Sequence, residues 1–419
     1  MSTQEMLLNR RRAVKVLLKR VYNVLLDEVE DLVELEMDPE KAKLREAENA
    51  EKKNFQVAYV PVVQEPVPEY IAEYRMLLRM TPDVFDRLLA LVLPKIQKLG
   101  TVLREPISPS VMLEVTLNFL ATGSSYHTQQ CCFRVSKAAI SNFVPNVCDA
   151  IIESLQEFIT EPKTEKQWID ISDAYDFLWN FPGCCGAIDA KHILVNCTNA
   201  QCFRYRGFDS VVLIIVVDHR YCITNYEICK KKSYKSPECI FQNSALLECV
   251  KNGMLPEGYF FVADEAFPLE NYLMKPYTYA NNPLQQDEKI FNCRLNRARR
   301  TVQNVFGILL SRFRALDTRL AVKMETINKL VGAACALHNW FTLTAGETYL
   351  FKGALDEQDC DTGEVTHGRW RSEIMGLRNL GKYNDEGSPY AAKNRRDCLK
   401  EYFCGEGMLP WQYKVAAMS

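Results

Sequence analysis

The sequence predicts an α+β protein, with an all-helical N-terminal region followed by a mixed β-sheet flanked by helices. Three observations carry that prediction. Cys184–Val195 is small and β-branched apart from a few polar residues, as expected of a mostly buried strand, with the carboxylate of Asp189 inside it. Val211–Val217 and Tyr221–Cys229 flank Asp218-His219-Arg220, a β-hairpin pattern. After a helix-like segment comes the apolar run Tyr259–Ala263, ending at Asp264, and then a long basic helix at about 293–314.

The region 70–161 reads as helix throughout. Thr81-Pro82-Asp83 is a helix start, with Val84, Phe85, Leu88, Leu89 and Val92 on one face. Ser108-Pro109 opens a second helix that runs to Gly123. Ser124–Val135 and Ser136–Ala150 form two further helices around a tight break, with Ser136 as cap and Lys137 outward. That spacing suits a helix-turn-helix and equally suits two neighbours in a helical bundle. Few basic residues lie near Lys137.

Ahead of it, residues 1–60 carry Arg10-Arg11-Arg12, Lys15, Lys19 and Arg20 beside apolar Val14, Leu18, Val21 and Leu25. This is an amphipathic helix pattern, followed by an acidic stretch. Its basic start serves either as a nuclear import signal or phosphate contact, or as part of a helix with a partner-binding face. Residues 61–69, with prolines at 61, 66 and 68, are a linker. The sheet region spans 180–345. Beyond it, 346–419 is a loop and helical tail, in which 356–368 has loop composition and Pro410-Trp411-Gln412 supplies an aromatic anchor.

A chain of 419 residues with a net charge of -2 and a pI near 6.3 is not basic throughout, so any nucleic-acid surface must be local. The 16 cysteines include no Cys-x-x-Cys pair, and there are 5 histidines. Reduced, buried thiols of an intracellular protein are the expectation. The start lacks an apolar signal-peptide core, and the longest apolar run is too short to cross a bilayer. The expected compartment is the nucleus, with cytoplasm as the alternative.

An Asp in an apolar strand is costly unless a cation or donors meet it. Strand with Asp, hairpin, helix, strand ending in Asp, then helix is the order of an RNase H-like nuclease core. In such cores carboxylates hold the metal ions that activate water and stabilise a leaving oxygen.

Several motifs make the resemblance specific. They include Phe133-Arg-Val-Ser-Lys-Ala-Ala-Ile-Ser, Gly186-Ala-Ile-Asp-Ala-Lys-His-Ile, Tyr205-Arg-Gly-Phe and Ala263-Asp-Glu-Ala-Phe-Pro-Leu. Asn296-Arg-Ala-Arg-Arg-Thr-Val-Gln-Asn-Val-Phe-Gly and Leu337-His-Asn continue the series. Over roughly 70–419 the chain resembles the PIF/Harbinger transposases and the host nuclease-like proteins derived from them. The resemblance implies a DDE nuclease domain using Mg or Mn, DNA as substrate, and a separate Myb/SANT-like DNA-binding partner.

Transferred residue by residue, the family's acidic positions fall on Asp189, Pro237, Asp264 and Gln303. Two of the four are therefore neutral. A hard divalent ion relies on carboxylate oxygens, so the expectation is a domesticated member that has lost strand cleavage, with Asp189 and Asp264 as a single weak metal site or as vestigial ligands. The resemblance also places Arg294, Arg297, Arg299, Arg300, Arg312 and Arg314 on a DNA-facing surface; a solvated, salt-bridged helix face is the competing reading. His192 reads as a strand or core residue, Asp218 and His219 as turn residues, and His338 with Asn339 as ties between helix and sheet. A DNA- or chromatin-associated binding protein is the reading carried forward. An active metal-dependent endonuclease and a protein-assembly scaffold without nucleic-acid contact are the alternatives.

Overall fold

A computed structural model describes residues 74–75, 77–97, 106–196, 202–230, 240, 244–278, 283–383 and 387–418. The amphipathic segment 1–60, the linker 61–69 and Pro237 lie outside the described residues. The chain divides into two compact units, Met1–Ala150 and Ile151–Ser419. The division falls within a continuous helix, Lys137–Ser154.

In the first unit, α1 (Pro82–Ile96) buries Phe85, Leu88 and Val92 on one face, as the spacing predicts. Thr81 holds the extended N-cap conformation, yet its side chain makes no cap hydrogen bond; Pro82, pre-set for the first turn, starts the helix. The same holds for Ser108 ahead of α2 (Pro109–Thr122), which ends on left-handed Gly123. Ser125 does cap α3 (Tyr126–Phe133), accepting from the Thr128 N–H at 3.1 Å. Arg134, at φ 55°, ends that helix, and α4 (Lys137–Ser154) begins after Ser136, whose Oγ accepts from Ala139 N–H. Buried Asn118 ties the unit together, donating to the Leu77 carbonyl and accepting from Gln129.

The second unit opens with a helix the sequence reading left out, α5 (Glu165–Trp179). Its signal was present: Thr164 and Gln167 form a reciprocal capping box. Six strands follow in one mixed sheet, β1 (Cys184–Leu194), β2 (Phe203–Tyr205), β3 (Phe208–Val217), β4 (Ile223–Cys229), β5 (Phe260–Val262) and β6 (Leu273–Met274). β1 runs antiparallel to β3 and parallel to β5, and β5 is parallel to β6. β2 and β4 pair with successive parts of β3. The run Val211–Val217 is buried on both faces, which explains why it reads as continuous rather than alternating hydrophobicity.

Between β4 and β5 lies α6 (Ala245–Cys249). The basic helix is α7 (Gln286–Arg312), and α8 (Met324–Ala345) follows. Residues 356–368 are not a plain loop. Strands β7 (Glu357–Gln358) and β8 (Val365–Thr366) pair, and buried Asp356 accepts from the Gly368 N–H and from the Arg371 guanidinium. Short α9 (Trp370–Glu373), α10 (Tyr390–Cys404) and α11 (Gln412–Met418) pack against α7.

His338 and Asn339 tie α8 to the sheet as expected. Asn339 bonds both the N–H and the carbonyl of Ile223, and His338 Nε2 lies 2.9 Å from the Tyr221 carbonyl. A carbonyl only accepts, so Nε2 carries the proton and Nδ1 accepts from the Tyr349 hydroxyl at 3.0 Å. Burial lowers the His338 pKa to about 4 from 6.5. Between those values the unfolded chain binds the extra proton, so stability rises with pH. The contribution is complete above 6.5 and is lost as pH falls toward 4. Acidifying from pH 6.5 to 5 should cost about 2 kcal/mol through this group, at about 1.4 kcal/mol per pH unit. Urea unfolding across that range checks it, and His338→Gln should flatten the slope.

Candidate active site

Alternation along β1 puts Asp189 and Lys191 on the same face of the sheet. Ala187 pairs with Val262 in parallel register, so Asp189 and Asp264, each two residues further on, emerge side by side. Asp189 is fully buried. Its Oδ1 accepts from the Ala190 N–H at 2.7 Å, and its Oδ2 lies 2.5 Å from Lys191 Nζ. The Lys191 ammonium is itself buried and sits 5.5 Å from the Phe306 ring centroid on α7. Asp264 accepts from the Ala266 N–H at 3.0 Å.

From α7, Arg299 reaches between the acids, with Nη2 3.9 Å from Asp189 Oδ2 and 3.7 Å from Asp264 Oδ2. Gln303 follows one turn later on the same helix face, half-buried. Burial first, and the Asp189 charge second, push the Asp264 carboxyl above its ordinary value; Arg299 and Lys191 offset part of that rise. Two carboxylates thus face two cations. The sequence reading missed Lys191, although its place two residues after Asp189 in a strand was the available signal.

A divalent metal of the kind DDE domains use needs about six oxygen ligands. Among the described residues, no group of three His, Cys, Asp or Glu side chains could hold a metal ion. Asp189 spends one oxygen on a backbone amide and the other on Lys191, and Gln303 brings no charge. The described residues do not fit a two-metal centre.

The arginines do not form the open DNA-facing surface expected of them. Arg294 and Arg297 are buried, covered by the C-terminal segment and the end of α5. The Arg294 guanidinium donates to the carbonyls of Asn180 and Gly407 and to Gln412, and stacks 4.3 Å from the Phe403 ring. Burial and neighbouring Arg297 lower its pKa to about 10. Arg297 donates to Leu178 and Cys360 and lies 5.4 Å from the ring of Trp411, the expected aromatic anchor. Arg300 bonds Gln358, and burial lowers its pKa too. Arg312 donates to the Tyr349 carbonyl. Arg314 and Lys137 are exposed, Lys137 as the first residue of α4. The structure therefore brings only Arg299 to the acids.

The histidines and Asp218 take their expected places. His192 bonds Ser210 and stacks on Tyr205, and burial holds its pKa at about 4. Asp218 receives the N–H groups of Arg220 and Cys222 in the turn between β3 and β4. No helix among the described residues is long and apolar enough to cross a membrane.

Residues 183–339, which contain Asp189, Asp264 and Gln303, match the model of the DDE superfamily endonucleases. The chain is 28% identical over 257 residues to "Putative nuclease HARBI1" of Bos taurus, covering 58% of this chain and 72% of that protein. With the Homo sapiens protein of the same name it shares 28% over 240 residues, 56% of this chain and 67% of the relative. "Protein ALP1-like" of Arabidopsis thaliana is 23% identical over 319 residues, 72% of this chain and 73% of the relative. No solved structure matches significantly. With Asp189 and Asp264 side by side and the helix that faces them, these matches mean that the chain carries a DDE superfamily endonuclease domain and is homologous to the Harbinger-derived nuclease and ALP1-like proteins.

Proposed function

We propose that this is a nuclear, Harbinger-derived nuclease-like protein whose DDE centre no longer cuts DNA, and which acts by binding DNA or chromatin. A Myb/SANT-like DNA-binding protein is its expected partner. One observation carries the loss of cleavage: Gln303, which has no charge, follows Arg299 by one turn on the helix face toward Asp189 and Asp264, so only two of the four acidic positions keep a carboxylate. In-line displacement at a phosphodiester in such centres relies on two metal ions that stabilise the attacking and the leaving oxygen. Here the carboxylates are already neutralised by groups that cannot polarise water as a metal does. Gln303, at the fourth of the family's acidic positions, brings no charge to recruit a second ion.

A plasmid-nicking assay in magnesium and in manganese tests this. Wild type and Asp189→Ala should both be silent, and the double variant Pro237→Asp/Gln303→Glu should recover nicking. Nicking by wild type that Asp189→Ala abolishes would overturn the proposal in favour of an active endonuclease.

A further inference from the structure

β2 and β3 are joined by a two-residue turn in which Arg206 and Gly207 both hold left-handed backbone, at φ 48° and 88°. Two such residues in succession form the tight turn that suits the twist of paired strands. An added Cβ on Gly207 would meet nothing within 4 Å, so the tip is open. Around it, cationic and aromatic side chains alternate. Arg204 is 70% exposed and Phe208 48% exposed, and Arg206 and Arg319 are exposed as well. The Arg206 guanidinium lies 5.4 Å from the Tyr205 ring centroid, and that of Arg319 lies 5.6 Å from the Phe208 ring centroid. Asp209 partners Arg204 at 3.4 Å, which leaves Arg206 and Arg319 to dominate the local charge of a chain whose net charge is -2.

Guanidinium groups bind phosphate whatever the sequence, and an exposed ring can stack on a base that is not already paired. Neither feature depends on the acidic centre, which lies further along β1. We infer that the β2–β3 tip, with Arg319 beside it, is a binding surface for single-stranded DNA. Arg204, Arg206 and Arg319 hold the backbone there, and Phe208 stacks on an unpaired base. This inference rests on the DNA-binding reading above and gives it a place that the buried arginines of α7 cannot supply. A turn of two residues on a paired ladder holds these side chains without the entropic cost of ordering a long loop.

Fluorescence anisotropy of the full chain with an oligothymidylate and with a mixed-sequence duplex tests the assignment. Wild type should bind the single strand more tightly. Arg204→Gln/Arg206→Gln/Arg319→Gln should lose about tenfold or more in affinity, and its salt dependence should flatten by about 2 in log–log slope, at about 0.7 per phosphate contact. Phe208→Ala should weaken single-strand binding about tenfold and leave duplex binding unchanged. Thermal unfolding establishes that each variant is folded. DNA binding by wild type that the folded triple variant retains would overturn this surface while leaving the DNA-binding reading intact. A duplex preference unaffected by Phe208→Ala would overturn the single-strand assignment. Equal competition by polyglutamate would make the tip a general polyanion site and overturn it too. Absence of binding to either DNA would overturn both this inference and the reading it rests on.

Discussion

Lys191→Met should destabilise the protein by about 3–5 kcal/mol, because it leaves the buried Asp189 carboxylate without its ion-pair partner. Arg299, 3.9 Å from Asp189 and 3.7 Å from Asp264, shares its charge between the two acids and replaces the lysine only in part. The paired change Asp189→Leu/Lys191→Met should cost far less, since replacing a whole buried ion pair with apolar groups of similar size is often close to neutral. Urea unfolding of the two singles and the double gives the coupling energy directly. A single-variant loss under about 1 kcal/mol would mean that the lysine does not hold the carboxylate. The same variant probes the centre's chemistry. With the ammonium gone, manganese should raise the melting temperature of Lys191→Met and leave wild type unmoved.

Gly307→Ala should cost about 2–4 kcal/mol, even though alanine is the better helix former by about 1 kcal/mol. Gly307 sits in α7 where the Trp370 indole lies flat against the helix backbone, and an added Cβ would fall inside that ring. Trp370 is buried, with its Nε1–H bonded to Asn304 Oδ1 at 3.0 Å. Asn304 in turn bonds both the N–H and the carbonyl of Asp356, so the displaced ring would strain the attachment of the C-terminal segment. Trp370→Ala takes away the ring that the new methyl strikes, so the double variant should lose less than the sum of the two singles. Chemical denaturation of the two singles and the double checks this.

The two acids of the centre were legible because burial and alternation leave a mark on sequence. Asp189 stands out in an apolar strand, and Asp264 closes an apolar run. His338 and Asn339 were legible as ties, since polar groups in an Ala-rich helix must meet backbone donors and acceptors. Arg294 and Arg297 were misread for a physical reason. Charge density along a helix is visible in sequence, but what covers it is not, and the cover of Arg294 and Arg297 comes from residues more than sixty positions away. The motif Gln303-Asn-Val-Phe-Gly307 was similarly half legible. Its first position concerns the acidic centre, while Asn304 and Gly307 exist to seat Trp370.

The way the C-terminal segment closes over α7 bears on how this domain can be inherited. Arg294 joins Asn180, Gly407 and Gln412 through one guanidinium, so the end of α5 and the last two helices share a single knot. The residues that match the endonuclease model, 183–339, leave out that cover on both sides, Asn180 before them and Gly407 and Gln412 after. As an exchangeable genetic module that stretch is too short. A recombination event that transplanted it alone would strip α7 of the segments packed on it and leave that face open to water, so the heritable unit runs from α5 through α11.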